Sequence, residues 1–282
     1  MKVIVAGAAG HLGQAMVARL AREHAVTPCT RADVDLTDHR AVMDFVQRAA
    51  PNAIVNCAAY NDVDGAQQHQ ERAFAVNAFV PRTLARAAEA LDATLIHYST
   101  DFVYAGTASQ PYAEDDLPEP QSVYAQSKLV GEWMAAGWHK HYVLRVESLF
   151  GGTLAKSSVD RIVAAVRRGA EAPVFFDRVT SPSFIEDVAD ASAHLLSTGA
   201  PYGLYHCVNS GHATWLDLGR EIARVLGRPD AALKPVSVDE VKLVAPRPRF
   251  AALSNRKLAA AGFAMPSWQD AIRRHLQGGG QS

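Results

Sequence analysis

The stretch Val3-Ile4-Val5-Ala6-Gly7-Ala8-Ala9-Gly10-His11-Leu12-Gly13 decides the fold. Its apolar start runs straight into a glycine turn, after which Leu12, Met16 and Leu20 recur at helical spacing. A continuous apolar run reads as a parallel strand buried on both faces, so the order is strand, turn, helix. Each glycine has its own task. Gly7 permits the tight turn, Gly10 lets backbone N–H groups approach a pyrophosphate, and Gly13 lets helix and strand pack closely. The helix N-terminus adds unpaired N–H groups and a partial positive charge. The spacing is G-x-x-G-x-x-G, which alone also fits an ordinary turn. Its place directly after the first strand favours a dinucleotide site.

Outward from this unit the same rhythm repeats. Strands are predicted over 24–29, 53–58, 94–98 and 142–146, with helices over 38–50, 71–91 and 122–136 and Asp38 near its helix cap. The strand over 94–98 ends at Ser99-Thr100-Asp101. Strands alternating with helices predict an α/β, doubly wound parallel Rossmann sheet over 1–150. After Gly151-Gly152 the pattern changes. Helices over 159–168, 185–197, 216–226 and 270–276 alternate with short strands over 173–176, 203–208 and 236–238. Asp187 and Asp190 fall on the polar side of their helix. Residues 151–282 therefore read as a smaller C-terminal substrate-binding domain, interlocked with the first and laid over the carboxyl edge of its sheet, with 278–282 a frayed tail.

Composition narrows the class. The chain has 282 residues, 49% hydrophobic and 20% charged, with a formal net charge of -1. That composition carries a large core and leaves no electrostatic footprint for nucleic acid or an acidic membrane surface. Cys29, Cys57 and Cys207 are odd in number, far apart and set in apolar strand-like contexts, which suits buried thiols in a reducing compartment. With no bilayer-length apolar stretch and a strand from the first residues, a cytoplasmic protein is expected. His97 and His206 lie inside apolar strands and read as core residues; no set of metal ligands is apparent.

The chemistry centres on Tyr124-Ala125-Gln126-Ser127-Lys128. Early in a helix, Tyr124 and Lys128 at i and i+4 share one face. A phenol ionises near ~10, and an adjacent ammonium is expected to favour phenolate and bring it into working range. Thr100, at the carboxyl edge where doubly wound sheets bind ligands, supplies a hydroxyl for the reacting oxygen. Y-x-x-x-K alone is common by chance and fits a solvated helix face; together with the glycine loop and Thr100 it points to an active site. The second strand ends in Cys29-Thr30-Arg31, with no carboxylate expected at its tip for a ribose diol. A hydroxyl and an arginine there suit a 2′-phosphate, so NADP(H) is expected, with NAD(H) the alternative.

These features resemble the extended short-chain dehydrogenase/reductases, and more narrowly the dTDP-4-dehydrorhamnose reductase family. The likeness runs through GAAGHLG, DVDLTD, AIVNCAAYNDVDGAQ, AVNAFVPRTLA, HYSTDFVYAG, PYAEDD, VYAQSKLVGE, GLYHCVNSGHATW and APRPRFAALSNRKL. It implies NADPH-dependent reduction of the 4-keto group of a nucleotide-linked 6-deoxy sugar. Thr100, Tyr124 and Lys128 match the catalytic residues. Gly7, Gly10 and Gly13 match the pyrophosphate loop, with backbone contacts from His11 and Leu12. Asp35 and Leu36 match the pair flanking the adenine, and Ala58 and Ala59 the small residues that leave the cofactor room. Asn77 stands where the family keeps an asparagine behind the site, although a core amide fits it nearly as well. Arg247, in the RP pair, matches a ligand for the substrate diphosphate, with Arg249 a less certain second. Asp101 is added on the substrate side. The implied partner is a sugar nucleotide, with a homodimer as an open option.

The chain also departs from that family. Arg145-Val146-Glu147-Ser148-Leu149-Phe150 stands where rhamnose reductases usually show R-T-S-W-V-Y, so Ser148 replaces an aromatic against the deoxyhexose. The usual Asn-Phe is missing from Gly151-Gly152-Thr153-Leu154. Both departures bear on the sugar and leave the hydride chemistry intact. Two rival readings remain: an NAD-dependent sugar-nucleotide epimerase or dehydratase, for which Asp101 offers the extra acid, and a non-catalytic NADP-binding regulatory subunit.

Overall fold

The computed structural model describes residues 1–278. Its first elements are β1 (Lys2–Ala6), α1 (His11–Leu20), β2 (Ala25–Cys29), α2 (His39–Ala49) and β3 (Ala53–Asn56). Further along come β4 (Thr94–Thr100) and β5 (His141–Val146). The six-stranded sheet runs β2, β1, β3, β4, β5 and then the strand Gly203–His206, with every neighbouring pair parallel. The order reverses beside β1. Connections leave in opposite directions there, so a crevice opens at the carboxyl ends of β1 and β3.

Helices cover both faces, which is why the strands read as unbroken apolar runs. On one face α1 packs its Leu12, Met16 and Leu20 with Ile185 and Val188 of the helix Ile185–Thr198. On the other, Val42 and Val46 of α2 meet Leu84 and Ala88 of the helix Val80–Ala90. Asp38 caps α2 by accepting from the Ala41 N–H.

The second half returns to this sheet before building its own layer. Gly203–His206 pairs with β5, and Ile185–Thr198 lies on α1. A third apolar cluster joins Val159 and Ile162, Trp215 and Leu218, and Trp268 and Ile272 from the helices Ser158–Arg168, Trp215–Val225 and Trp268–Gly278.

Four expectations are corrected. The helix expected over 71–91 is built in pieces: Gln70–Phe74, a π-helical turn Ala75–Phe79, then Val80–Ala90. The short strand expected over 236–238 is Leu233–Val236, paired with Ala172–Phe175. Asp187 is not on a polar face. It is buried, and its carboxylate accepts from Arg274 and the Asn209 amide. Of the thiols, Cys29 and Cys207 are buried, whereas Cys57 is only half-buried. Most of the expected tail, 279–282, lies outside the described residues. Among the described residues no helix is long and apolar enough to cross a membrane.

Candidate active site

The glycine loop is shaped by close backbone approach. A Cβ on Gly7, whose φ is +75°, would sit 2.7 Å from the Ala58 nitrogen; one on Gly13 would sit 2.2 Å from the Gly7 carbonyl oxygen. Side chains are therefore excluded where the end of β3 and the start of α1 crowd the turn. No side chain caps α1 at Gly10, so its first N–H groups remain available to an anion. These features fit a dinucleotide pyrophosphate. Ala58 and Ala59 are half-buried at the end of β3. The His11 ring, expected to matter only through its backbone, bonds the Gly151 carbonyl at 2.5 Å, and Thr153 donates to Gln14. The 151–153 turn thus lies over the loop.

At the tip of β2, Thr30 donates its hydroxyl and its N–H to Asp33 at 2.7 and 2.8 Å. A carboxylate does stand there, two residues beyond Arg31, and it corrects the expectation of a tip without one. Arg31 is exposed. Asp35 is turned toward Thr37, accepting from its N–H and hydroxyl, and Leu36 packs into the core beside α2.

The catalytic candidates meet at the carboxyl edge of β4. Ser122 caps the helix Val123–Ala135 through the Ala125 N–H and places Tyr124 and Lys128 on its inner face, both buried. Phe102 packs edge-on to Tyr124 at 5.8 Å. Burial pushes the Tyr124 phenol up, Asp101 pushes it further, and the neighbouring Thr100 hydroxyl offsets part of the rise. Lys128 lies one turn further along the same helix, its side chain buried. Its Nζ donates to the Tyr98 carbonyl at 2.6 Å, and burial draws its own pKa down to about 8. Tyr124 is therefore a protonated phenol here, the state a proton donor requires.

Asn77 sits in the π-helical turn and clamps this arrangement. Its amide accepts from the Tyr60 N–H at 2.8 Å and donates to the Tyr60 carbonyl and to Ser127, while Ser127 bonds the Tyr124 carbonyl. The turn also presses the Asn77 carbonyl against Gly131, where a Cβ would meet it at 2.0 Å. Asn77 thereby fixes the segment after β3 to the helix carrying Tyr124. A π-helical turn inside a helix is frequently found at functional sites.

Buried charges surround the reacting corner. Glu132 holds Arg145 through two bonds of 2.8 and 2.6 Å and accepts from Ser99. Arg145 donates on to Tyr104, which bonds His206. Burial drops His206 to about 3 and lowers His97 as well, so both rings are neutral. Beside Thr100 lie Asp101 and Glu147, two buried carboxyls raised chiefly by burial and drawn back by Arg178. Ser148 takes a left-handed φ of 46° and bonds Thr180 at 2.7 Å.

The arginines divide. Arg247 lies 5.9 Å from the Phe102 ring centre and bridges to Asp64 at 3.1 Å, while Asp64 also accepts from the Ala245 N–H. Arg178 lies over the same ring at 5.5 Å, its Nε donating to the Pro248 carbonyl. Arg249, the expected second phosphate ligand, is exposed and tied to Asp177 and Asp239. Arg178 holds the position beside Arg247 instead.

The sequence profile of the RmlD substrate binding domain matches residues 1–279. The chain belongs to this family. It is 34% identical over 280 residues to a dTDP-4-dehydrorhamnose reductase of Mycolicibacterium smegmatis, covering 96% of this chain and 84% of that one. A dTDP-4-dehydrorhamnose reductase from Bacillus anthracis, solved in complex with NADP, superposes with a TM-score of 0.93 at 29% identity. It covers 98% of this chain and 99% of that one. Its counterpart from Clostridium acetobutylicum gives a TM-score of 0.92 at the same identity and coverage.

Within this family frame, three site residues escaped the sequence reading: Asp64, Glu147 and Arg178. A signal existed for Glu147, a carboxylate closing the apolar run of β5. Asp64 lies inside the quoted stretch AIVNCAAYNDVDGAQ, on the short helix Val63–Gln68, but its partner Arg247 is far along the chain; Arg178, just before the strand Val179–Thr180, lies outside every quoted stretch.

Proposed function

We propose that this protein reduces, with NADPH, the 4-keto group of a nucleotide-linked 6-deoxy sugar, in the manner of dTDP-4-dehydrorhamnose reductases. The observation that carries the reading is the meeting of Tyr124 and Thr100 at the carboxyl edge of a sheet whose crevice begins with an uncapped, glycine-lined helix start. NADPH bound in that crevice supplies the hydride. Thr100 hydrogen-bonds the ketone oxygen and holds it at the phenol. Tyr124 gives that oxygen its proton, and its burial keeps the phenol protonated until negative charge develops on the ketone. Lys128, in the dry interior, is placed for the cofactor ribose. Arg247 receives the diphosphate by leaving Asp64, with Arg178 as the second cation beside Phe102. Arg31 and Thr30 meet the adenosine 2′-phosphate.

The test is a panel of dTDP-, GDP- and UDP-linked 4-ketosugars, each incubated with the protein and NADPH or NADH. Oxidation of NADPH by a dTDP-4-keto-6-deoxy sugar is expected, with product reduced at C4. Conversion of a sugar without net NADPH consumption would replace the reading with an epimerase or dehydratase. Tight NADP binding with silence toward every sugar would replace it with a regulatory role.

A further inference from the structure

Thr100 pairs with Val146 across β4 and β5, so the next residues, Asp101 and Glu147, leave neighbouring strands side by side. Both are buried. Their oxygens are served differently. Glu147 is complete: the Thr180 hydroxyl donates to Oε1 at 2.5 Å and the Ser181 N–H to Oε2 at 2.6 Å. Asp101 is not. Its Oδ1 accepts from the Thr100 hydroxyl at 2.9 Å, and its Oδ2 is buried with no partner. A buried carboxylate oxygen without a donor is costly, and a bound proton removes much of that cost. The Thr100 hydroxyl also faces the Tyr124 phenol. A line of oxygens thus runs from a carboxyl that favours a proton to the phenol that loses one.

We propose that Asp101 returns a proton to Tyr124 through the Thr100 hydroxyl after each reduction, within the charge frame of Glu147 and Arg178. The inference rests on the reductase reading above. After Tyr124 has protonated the ketone oxygen, the Thr100 hydroxyl proton moves to the phenolate as the Asp101 carboxyl proton moves to the Thr100 oxygen. At each acceptor one O–H bond forms as one breaks at its donor, and no electrons change hands. Asp101 is left as a carboxylate, and a proton from water restores it once the alcohol product has gone. The charged or titratable groups facing Asp101 are Tyr124 on its helix, Glu147 at the end of β5 and Arg178 before the strand Val179–Thr180, with Arg247 beyond Arg178. Asp101 and Glu147 oppose each other's charge, the Asp101 charge raising Glu147, so the pair retains a proton. The donors on both Glu147 oxygens favour its carboxylate and leave that proton to Asp101. Arg178 steadies the carboxylate after the proton leaves. Asp101 acts here through Thr100, as a proton-relay residue.

The relay separates the first turnover from those that follow, because Tyr124 starts protonated. Single-turnover reduction, with enzyme in excess over NADPH, is compared with steady-state reduction in wild type, Asp101→Asn and Glu147→Gln. In Asp101→Asn the ratio of single-turnover to steady-state rate is expected to rise by about tenfold or more. In Glu147→Gln the steady-state rate should begin to fall at lower pH than in wild type, since the like charge that retains the proton is gone. A ratio unchanged in Asp101→Asn, with both rates lowered together, would assign Asp101 to the chemical step or to substrate binding and overturn the relay. A second measurement needs no substrate. Infrared difference spectra of the NADP-bound protein should show a protonated carboxyl band near neutral pH that disappears in Asp101→Asn, and absence of that band in wild type also overturns the relay. Loss of the reductase reading shows differently, as a wild type that oxidises no NADPH.

Discussion

The two sides of the crevice are built on opposite principles. The cofactor side is contiguous and made of backbone: Gly7, Gly10 and Gly13 lie within one turn and the start of α1, and their role is to leave space. The substrate side is assembled from side chains of separate stretches, Asp64, Thr100-Asp101, Tyr124, Glu147, Arg178 and Arg247, and its charges already face one another. A backbone cradle is ready for its ligand. A set of matched side-chain charges must change partners when its ligand arrives, so the two sides should respond differently to substitution.

The largest effect is expected from Tyr124→Phe, which keeps the ring and removes the proton. Reduction should slow by roughly 10²–10⁴-fold while NADPH titration is unchanged. A near-wild-type rate would move the proton donor elsewhere and break the division between the two sides.

Arg247→Ala comes next. It should weaken sugar-nucleotide binding by about 1.5–3 kcal/mol, the scale of a hydrogen bond to a charged group, and leave NADPH affinity as it was. Calorimetry with the free nucleoside diphosphate reads this directly, and equal affinities would remove Arg247 from the site.

On the cofactor side the matching change is Gly13→Ala. Its Cβ would lie 2.2 Å from the Gly7 carbonyl oxygen, a backbone atom with no room to retreat. A loss of about 1–3 kcal/mol is expected, seen as a lower melting temperature and weaker NADPH binding. Gly10→Ala, with a contact of 3.1 Å, should cost visibly less. If the two variants behave alike, close packing is not what selects glycine at position 13.

Acid tests the ground beneath both sides. Burial holds His206 at about 3 against an ordinary 6.5. Below pH 6.5 the unfolded chain binds this proton and the folded one does not, so stability falls as pH drops from 6.5 toward 3. The slope is about 1.4 kcal/mol per pH unit. His206→Asn should therefore shrink the stability difference between pH 7 and pH 5 by about 2 kcal/mol in denaturant titrations. His97, lowered by the same cause, keeps a residual slope of the same sign in the variant.

The smallest effect sharpens the comparison most. Asp64 pairs with Arg247, and its side chain is itself exposed. Asp64→Asn frees the guanidinium and should tighten diphosphate binding by about 0.2–1 kcal/mol, the range of an exposed ion pair. Weaker binding in that variant would mean that Asp64 positions Arg247 rather than competing for it.

Legibility in the sequence followed the same division. The glycine loop, the Y-x-x-x-K face and the Thr100 strand end could be read because each is local: spacing along one helix or turn fixes which atoms meet. The helix over 71–91 was legible in extent but not in its π-helical turn, which brings the Asn77 carbonyl against Gly131 of another helix. Asp187 read as solvated because its partner, Arg274, lies 87 residues away. Lys128 and Tyr124 share a helix face by their i, i+4 spacing; the donation of the Lys128 Nζ to the Tyr98 carbonyl on β4 depends on a strand that spacing does not reach.

By itself the sequence determined the parallel sheet, the dinucleotide crevice and the identities of the phenol and hydroxyl proposed for the chemistry. Hydrophobic periodicity and glycine spacing act over a few residues, and that is the range over which a sequence can be read directly. Only the tertiary structure decided which charges surround that chemistry. It set Arg178 rather than Arg249 beside Arg247, closed Arg247 onto Asp64, and brought Glu147 alongside Asp101. A buried charge is set by whatever the fold packs against it, and those neighbours come from opposite ends of the chain.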